Sequence, residues 1–499
     1  MHVRRTLHSA VCLLVATASA TAWAQAGSLT DDVRRLVAAQ KLGAAKVGIC
    51  IRDVESGLTL ADLNGSTPMT PASNMKLLTS GAALLVLSPD YQFSTELIQD
   101  GDRLIFRGSG DPALADPEVL SLMKPKMTVG DVLDVLADAA TTAGVRNARE
   151  LVVDDRVFDR EFVHPSWPAE KLDRGYSCQV SGLNFHANVI LVFPRPGGDG
   201  PGSPPSFAIE PESPFLSISN KARTIANGKN SVWLSREPET NRFTLHGDVK
   251  YAAQVGVEIT IHDPAMFAGQ LLADRLKGPG AMTSPTVRLA GPGDPAGPTG
   301  RSVAAITTPI SEVMKRCNTD SANLYAESLL KSMGHAVTKE PGSWKNGASV
   351  LRMVLSQKLG PDQAARVTIA DGSGLSRENA VSAEALARWL EVMGRDRTVR
   401  DMFAESLASP GEGTLRERFR GDKIGTHIRA KSGFINGVRT LSGYAIDETS
   451  GRRVAFSVMV NDIKTDTQTL ASKELHEQIA LLCDRWLAAR VSQTPKLGG

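Results

Sequence analysis

The sequence predicts an α+β protein in which one sheet-and-helix domain is interrupted by a large α+β insertion. Three observations carry this. An alternating strand, a turn and a second strand at 46–64 lead into an apolar helical run at 75–85. Comparable strands return only at 428–460, near the other end of the chain. Between them, from about Tyr91 to Gly300, short strand-like runs alternate with helical patterns, as expected of mixed layers.

In chain order, Arg4 and Arg5 precede an apolar stretch at 10–18 that ends in Ala22-Trp23-Ala24. This is the layout of a secretory signal peptide, 1–24. The strands at 46–53 and 58–64 flank the turn Glu55-Ser56-Gly57 and form a hairpin. Pro71 stands just ahead of the helical run, a start signal that puts Ser73 in the first turn. The middle carries strands at 96–99, 103–107, 150–153, 187–193 and 257–261, with helices at 129–143 and 265–276. Pro/Gly-rich stretches at 194–205 and 289–300 punctuate it. The second is the better domain boundary, so the split domain is assigned to 25–85 and 301–499. The insertion, 86–300, is read as two nested subdomains. Helical patterns follow at 310–333, 346–359 and 383–393, then strands at 428–432, 438–446 and 453–460. A closing helix at 469–490 aligns Leu475, Ile479, Leu482 and Trp486 on one face, a stripe suited to core packing.

Composition excludes several functions. The net charge is +2, aromatics are 5% and there is no basic run, so no nucleic-acid partner is expected. No segment reaches the roughly 18–20 apolar residues of a membrane span, which leaves at most peripheral membrane contact. After the signal, Cys50, Cys178, Cys317 and Cys483 remain, far apart and never in a CxxC or Cys/His cluster. Neither they nor the nine histidines have metal-ligand spacing, so no metal or other cofactor is expected. The spacing leaves three full disulfide pairings and free thiols open alike.

Three short motifs carry chemistry: Ser73-Asn74-Met75-Lys76, Ser321-Ala322-Asn323 and Lys431-Ser432-Gly433. SxxK recurs at Ser121/Lys124 and Ser328/Lys331, but only Ser73 stands at a helix start, with Lys76 one turn later on the same face. A serine hydroxyl needs a neighbouring base to become a nucleophile. Lys76 can be that base if burial and a second cation, Lys431, depress its pKa. Ser321 can relay the proton to a leaving nitrogen, and the Asn323 amide can orient a peptide. Lys431 and Ser432 would meet a substrate carboxylate, with Gly433 letting the strand lie close to the ligand. The backbone N–H groups of Ser73 and Phe434 would form the oxyanion hole. Arg439 and Thr440, just beyond, are further candidates for substrate contact, with ordinary edge-strand roles as the alternative.

With these motifs in this order the chain resembles the penicillin-binding serine acyl-transfer superfamily. It further resembles the D-alanyl-D-alanine carboxypeptidase/endopeptidase family with inserted domains. The gap of about 250 residues between Ser73 and Ser321 fits that branch. So do Gly108-Ser109-Gly110-Asp111-Pro112, the stretch 181–185 and the run Asp371-Gly372-Ser373-Gly374-Leu375-Ser376-Arg377, which by itself reads as a turn. The resemblance implies a split transpeptidase/β-lactamase-like domain, an antiparallel sheet flanked by helices. It also implies a periplasmic serine enzyme that removes terminal D-Ala from peptidoglycan stem peptides, and often cleaves D-Ala cross-links. β-Lactam antibiotics would then be acylating inhibitors. Two positions depart from the family pattern. Phe434 follows the third motif where Ser or Thr is common, removing one hydroxyl beside the substrate carboxylate, and Ala322 replaces a common Asp. Alternative functions are a serine esterase or β-lactamase on the same scaffold, and a non-catalytic cell-wall binding protein; five intact motif residues argue against the last.

Overall fold

A computed structural model of the chain describes residues 28–491, apart from 296, 298 and 299. The signal peptide expected at 1–24 lies outside the described residues. Helix α1 (Leu29–Ala39) begins at Ser28, whose hydroxyl accepts a hydrogen bond from the Asp31 N–H. Strands β1 (Lys46–Asp53) and β2 (Thr59–Leu63) form the expected hairpin, with Ile49 opposite Leu63. A single 3-10 turn, Ala72–Asn74, then runs into α2 (Met75–Leu87). This helix is apolar on all sides and is accordingly buried on nearly all of them.

The inserted region contributes β3 (Gln92–Asp100), β4 (Arg103–Arg107), α3 (Val129–Thr142), β5 (Ala148–Asp154), β6 (Val189–Arg195), α4 (Pro264–Lys277), β7 (Met282–Leu289) and β8 (Arg301–Pro309). Five of these strands form one sheet in the order β7-β5-β4-β3-β8. β6 lies between Ser206–Glu210 and Val257–Thr260 in a smaller sheet. A single apolar core, including Leu97, Leu151, Phe185, Phe243 and Leu272, runs beneath both. The boundary expected at 300/301 is displaced. β8 pairs antiparallel with β3 from Arg301 opposite Gln99 to Pro309 opposite Gln92, so the inserted sheet ends at Pro309. The Pro/Gly-rich stretch joins two strands of that sheet, because such residues mark any chain reversal and not only a domain edge.

Helices α5 (Ile310–Thr319), α6 (Asn323–Thr338), α7 (Trp344–Leu359) and α8 (Ala383–Arg395) follow, then β9 (His427–Ile435), β10 (Val438–Ile446), β11 (Arg453–Asn461) and α9 (Asp466–Val491). The single helical run expected over 310–333 is two helices. The chain breaks at Ser321, which takes a left-handed conformation with φ of 65°. The second sheet runs β9-β10-β11-β1-β2 and is antiparallel throughout. The two ends of the chain therefore meet side by side, Lys46 opposite Asn461 and Asp53 opposite Val454. α1 and α9 cover one face through Val33, Leu475, Ile479 and Leu487. α2 and α8 cover the other through Leu78, Trp389 and Leu390, where Trp389 Nε1 donates to the Leu77 carbonyl at 2.8 Å. Covered on both faces, β11 is buried along its whole length, and its sequence loses strict alternation. Cys50, Cys178, Cys317 and Cys483 are free, buried thiols. Among the described residues no helix is long and apolar enough to cross a membrane.

Candidate active site

Ser73 lies in the 3-10 turn that feeds α2, so Lys76 follows it by one turn at the start of the helix. The Lys76 ammonium donates to Ser73 Oγ at 3.0 Å, to Asn323 Oδ1 at 2.6 Å and to the Ser373 carbonyl at 2.9 Å. The side chain is fully buried, and burial pulls its amine down to about 8 against the opposing pull of Glu327 and Asp371. Asn323, first residue of α6, donates its own amide N–H to the Tyr176 carbonyl at 2.6 Å. One lysine thereby ties together α2, α6, the 371–376 loop and a turn of the insertion. The other SxxK copies lack this arrangement. Lys331 is held by Asp159 at 2.7 Å and by the Glu161 carbonyl, while the Ser121 hydroxyl donates to the Glu118 carbonyl.

The third motif lies on β9, the edge strand. A Cβ added to Gly433 would run into Thr440 Oγ1 and come within 3.0 Å of Ser73 N and of the Pro71 carbonyl, so only glycine lets β9 pass this close to the Ser73 turn. Thr440, on β10, donates to the Pro71 carbonyl at 2.9 Å and secures that turn from below. Its hydroxyl is buried and does not line the Ser73 cleft. Lys431 differs from the expected open cation. It is fully buried, donates to the Ser432 carbonyl at 2.8 Å, and is held well below its ordinary pKa by burial and by Lys76. A solvent-facing lysine is the usual case, but here the side chain lies in the interior near Lys76 and Cys317. Ser73, Ser321, Asn323, Tyr176, Arg377 and Phe434 line a cleft of about 560 Å³, with both lysines beneath its floor.

A family model described as D-Ala-D-Ala carboxypeptidase 3 (S13) matches residues 29–486. The chain belongs to this S13 family. A D-alanyl-D-alanine carboxypeptidase of an Actinomadura species is 32% identical over 458 residues, covering 87% of this chain and 81% of that protein. The D-alanyl-D-alanine carboxypeptidase DacB of Haemophilus influenzae is 23% identical over 437 residues, 84% of this chain and 86% of its own. The crystal structure of penicillin binding protein 4 (dacB) from Haemophilus influenzae superposes with a TM-score of 0.73 at 22% identity, over 90% of this chain and 99% of that one. A second structure of that protein, complexed with a β-lactam, gives 0.69. The expected family and the split, mixed fold are thus both borne out.

Two contributors to this S13 site escape sequence reading. Tyr176 offers a backbone carbonyl, which leaves no trace in residue type. Glu327 does leave one: it is a carboxylate four residues after Asn323 amid Leu324, Tyr325, Ala326, Leu329 and Leu330, hence one turn along the same face. It is fully buried and accepts from the N–H groups of Gly372 and Ser373 at 2.9 and 2.8 Å and from Trp344 Nε1 at 2.9 Å. Asp371 accepts from Gly374 N, Ser376 N, Asn379 Nδ2 and Trp167 Nε1. The two carboxylates fix the loop whose Ser373 carbonyl receives Lys76. Burial, with the Asp371 charge, raises Glu327 to about 7. Glu327 in turn raises Lys76, so Glu327→Gln is expected to move the acid limb of the kcat/KM pH profile to lower pH and to lower kcat about tenfold through a looser loop. An unshifted limb would remove Glu327 from the electrostatics of the site.

Proposed function

We propose that this S13 protein is a periplasmic serine DD-peptidase that releases C-terminal D-Ala from peptidoglycan stem peptides through an acyl-enzyme on Ser73. One observation carries the residue roles: a buried lysine whose pKa falls to about 8 sits 3.0 Å from the serine hydroxyl. The family and the named activities of its relatives supply the substrate. The signal-peptide pattern supplies the compartment.

Unprotonated Lys76 takes the Ser73 proton as Oγ attacks the carbonyl carbon of the penultimate D-Ala. The oxyanion is met by the N–H groups of Ser73 and Phe434. Asn436 and Gly437 make a two-residue turn closed by Ile435 and Val438, so hydrogen-bonded pairs alternate back along β9 and the Phe434 N–H points outward, away from β10. Preorganised N–H donors of this kind need no rearrangement when charge develops. Ser321, which lines the cleft, carries the proton from Lys76 to the leaving nitrogen as the C–N bond breaks. Water, deprotonated by Lys76, then hydrolyses the ester. Asn323 holds the Lys76 amine while its amide N–H binds Tyr176, so its first role is to position the base.

Penicillin binding is part of the same proposal. Mature protein mixed with benzylpenicillin is expected to give an adduct by intact mass, mapped to the peptide that contains Ser73. Absence of both an adduct and antibiotic consumption would favour the non-catalytic reading instead.

A further inference from the structure

A second cavity, of about 490 Å³, lies beside the third motif. Ser432, Gly433 and Phe434 of β9 form one wall, Arg439 of β10 another, and the 413–418 loop and α9 the rest. Phe434 lines this cavity and the Ser73 cleft alike. The walls carry Arg416, Arg418, Arg439 and Lys473 against a single acid, Glu417, which pairs with Arg420. Arg418 is neutralised by Glu477 at 2.6 Å. Arg439 has no carboxylate partner among the described residues, and its guanidinium lies over the Phe434 ring at 4.4 Å.

Three buried polar atoms around this cavity lack any hydrogen-bond partner: Arg439 Nε, His476 Nε2 and Thr414 Oγ1. His476 is 1% exposed. Burial, with Arg418 and Arg439 nearby, holds it well below its ordinary pKa, so it adds no charge of its own. Buried polar groups are rarely left unpaired in folded proteins, and an Arg439 guanidinium without a carboxylate partner on a cation-rich wall suits an anionic, multiply accepting group. The proposed reaction offers one. A stem peptide is long on the acyl side of the scissile bond and needs the larger cleft, whereas the leaving side is one alanine ending in a carboxylate. Lys431, buried and engaged by the Ser432 carbonyl, is not open to receive it.

We infer that the terminal carboxylate of the leaving D-Ala is received in this second cavity by the Arg439 guanidinium and the Ser432 hydroxyl. This rests on the DD-peptidase reading above. Arg439 thereby does the work of the hydroxyl that Phe434 displaces, and the Phe434 ring beneath its guanidinium helps to hold it there. A planar fork suits a carboxylate, which it can bind through two parallel N–H bonds.

The test compares one acyl-D-Ala-D-Ala peptide as free acid and as C-terminal amide, in the mature wild type, Arg439→Met and Arg439→Lys. Wild type is expected to prefer the acid. In Arg439→Met the acid-to-amide ratio of kcat/KM should fall by about 10- to 100-fold, mostly through KM, and Arg439→Lys should recover part of it. Melting curves and acylation of Ser73 by an acyl-D-alanine methyl ester, which has no terminal carboxylate, report whether each variant is folded. A folded Arg439→Met variant with the wild-type ratio overturns the inference and leaves the DD-peptidase reading standing. Failure of the wild type to hydrolyse either peptide or the ester overturns that reading itself.

Discussion

A Ser73→Ala variant is expected to release D-Ala from an acyl-D-Ala-D-Ala peptide roughly 10⁴-fold more slowly than wild type, or slower still. It should also form no adduct with benzylpenicillin. Loss of the hydroxyl removes the atom that becomes the ester oxygen, and no neighbour can replace it. Ser321 lines the same cleft, but Lys76 donates to Ser73, Asn323 and the Ser373 carbonyl and not to it, and both lysine side chains are fully buried. The fold should persist. Ser73 sits in a turn secured independently by Thr440 on the Pro71 carbonyl and by the Asn74 amide between Thr440 and Ser442. Lys76 keeps its bonds to Asn323 and to the Ser373 carbonyl. Melting temperature and substrate protection would check this. Wild-type turnover by a folded Ser73→Ala protein would transfer the nucleophile elsewhere, and the adduct map would show where.

How much of this site could be read from residues alone depended on how local the cause was. The hairpin at 46–63 and the strands of β9 to β11 rest on alternation and nearby turns, and they form where that pattern places them. The pairing of Ser73 with Lys76 follows from helical spacing, a relation four residues long. Ser321 is a local break that periodicity hides. Apolar periodicity runs through it, yet the chain turns there: Ser321 takes a left-handed conformation just past the end of α5, and the Ala322 N–H returns to the Arg316 carbonyl at 3.2 Å. β8 was hidden because its partner, β3, lies about 200 residues upstream. The burial of Lys431 is likewise tertiary. Its residue type argues for a surface charge, and only the folded chain, which sets it near Lys76 and Cys317, makes it an internal amine. Glu327 is intermediate, visible by spacing from Asn323 once the motif is granted, but given its role by a loop some 45 residues away.

The second large effect concerns the base. Lys76→Arg keeps a cation and a long stem but removes the ability to give up a proton, since a guanidinium does not deprotonate in proteins. Acylation by peptide and by benzylpenicillin should both fall about 10³- to 10⁴-fold. With Lys76 as the proposed base the working form is the free amine, so kcat/KM should rise with pH and level off above about 8, the value to which burial lowers Lys76. The arginine variant should show no such limb. Stability runs with the same sign. Between about 8 and the ordinary 10.5 the unfolded chain binds a proton at this lysine that the folded chain does not, so folding becomes more favourable as pH rises across that window. Over the whole window the difference is about 3 kcal/mol, and it is fully set against the native state below pH 8. Keeping an amine where it is costly to charge is the kind of local instability that accompanies a reactive group. Chemical denaturation of wild type at pH 8 and pH 10 should therefore show a gain that Lys76→Met, with no amine to titrate, shows to a smaller extent. An equal gain in both proteins, with an unchanged rate in Lys76→Arg, would remove Lys76 as the base.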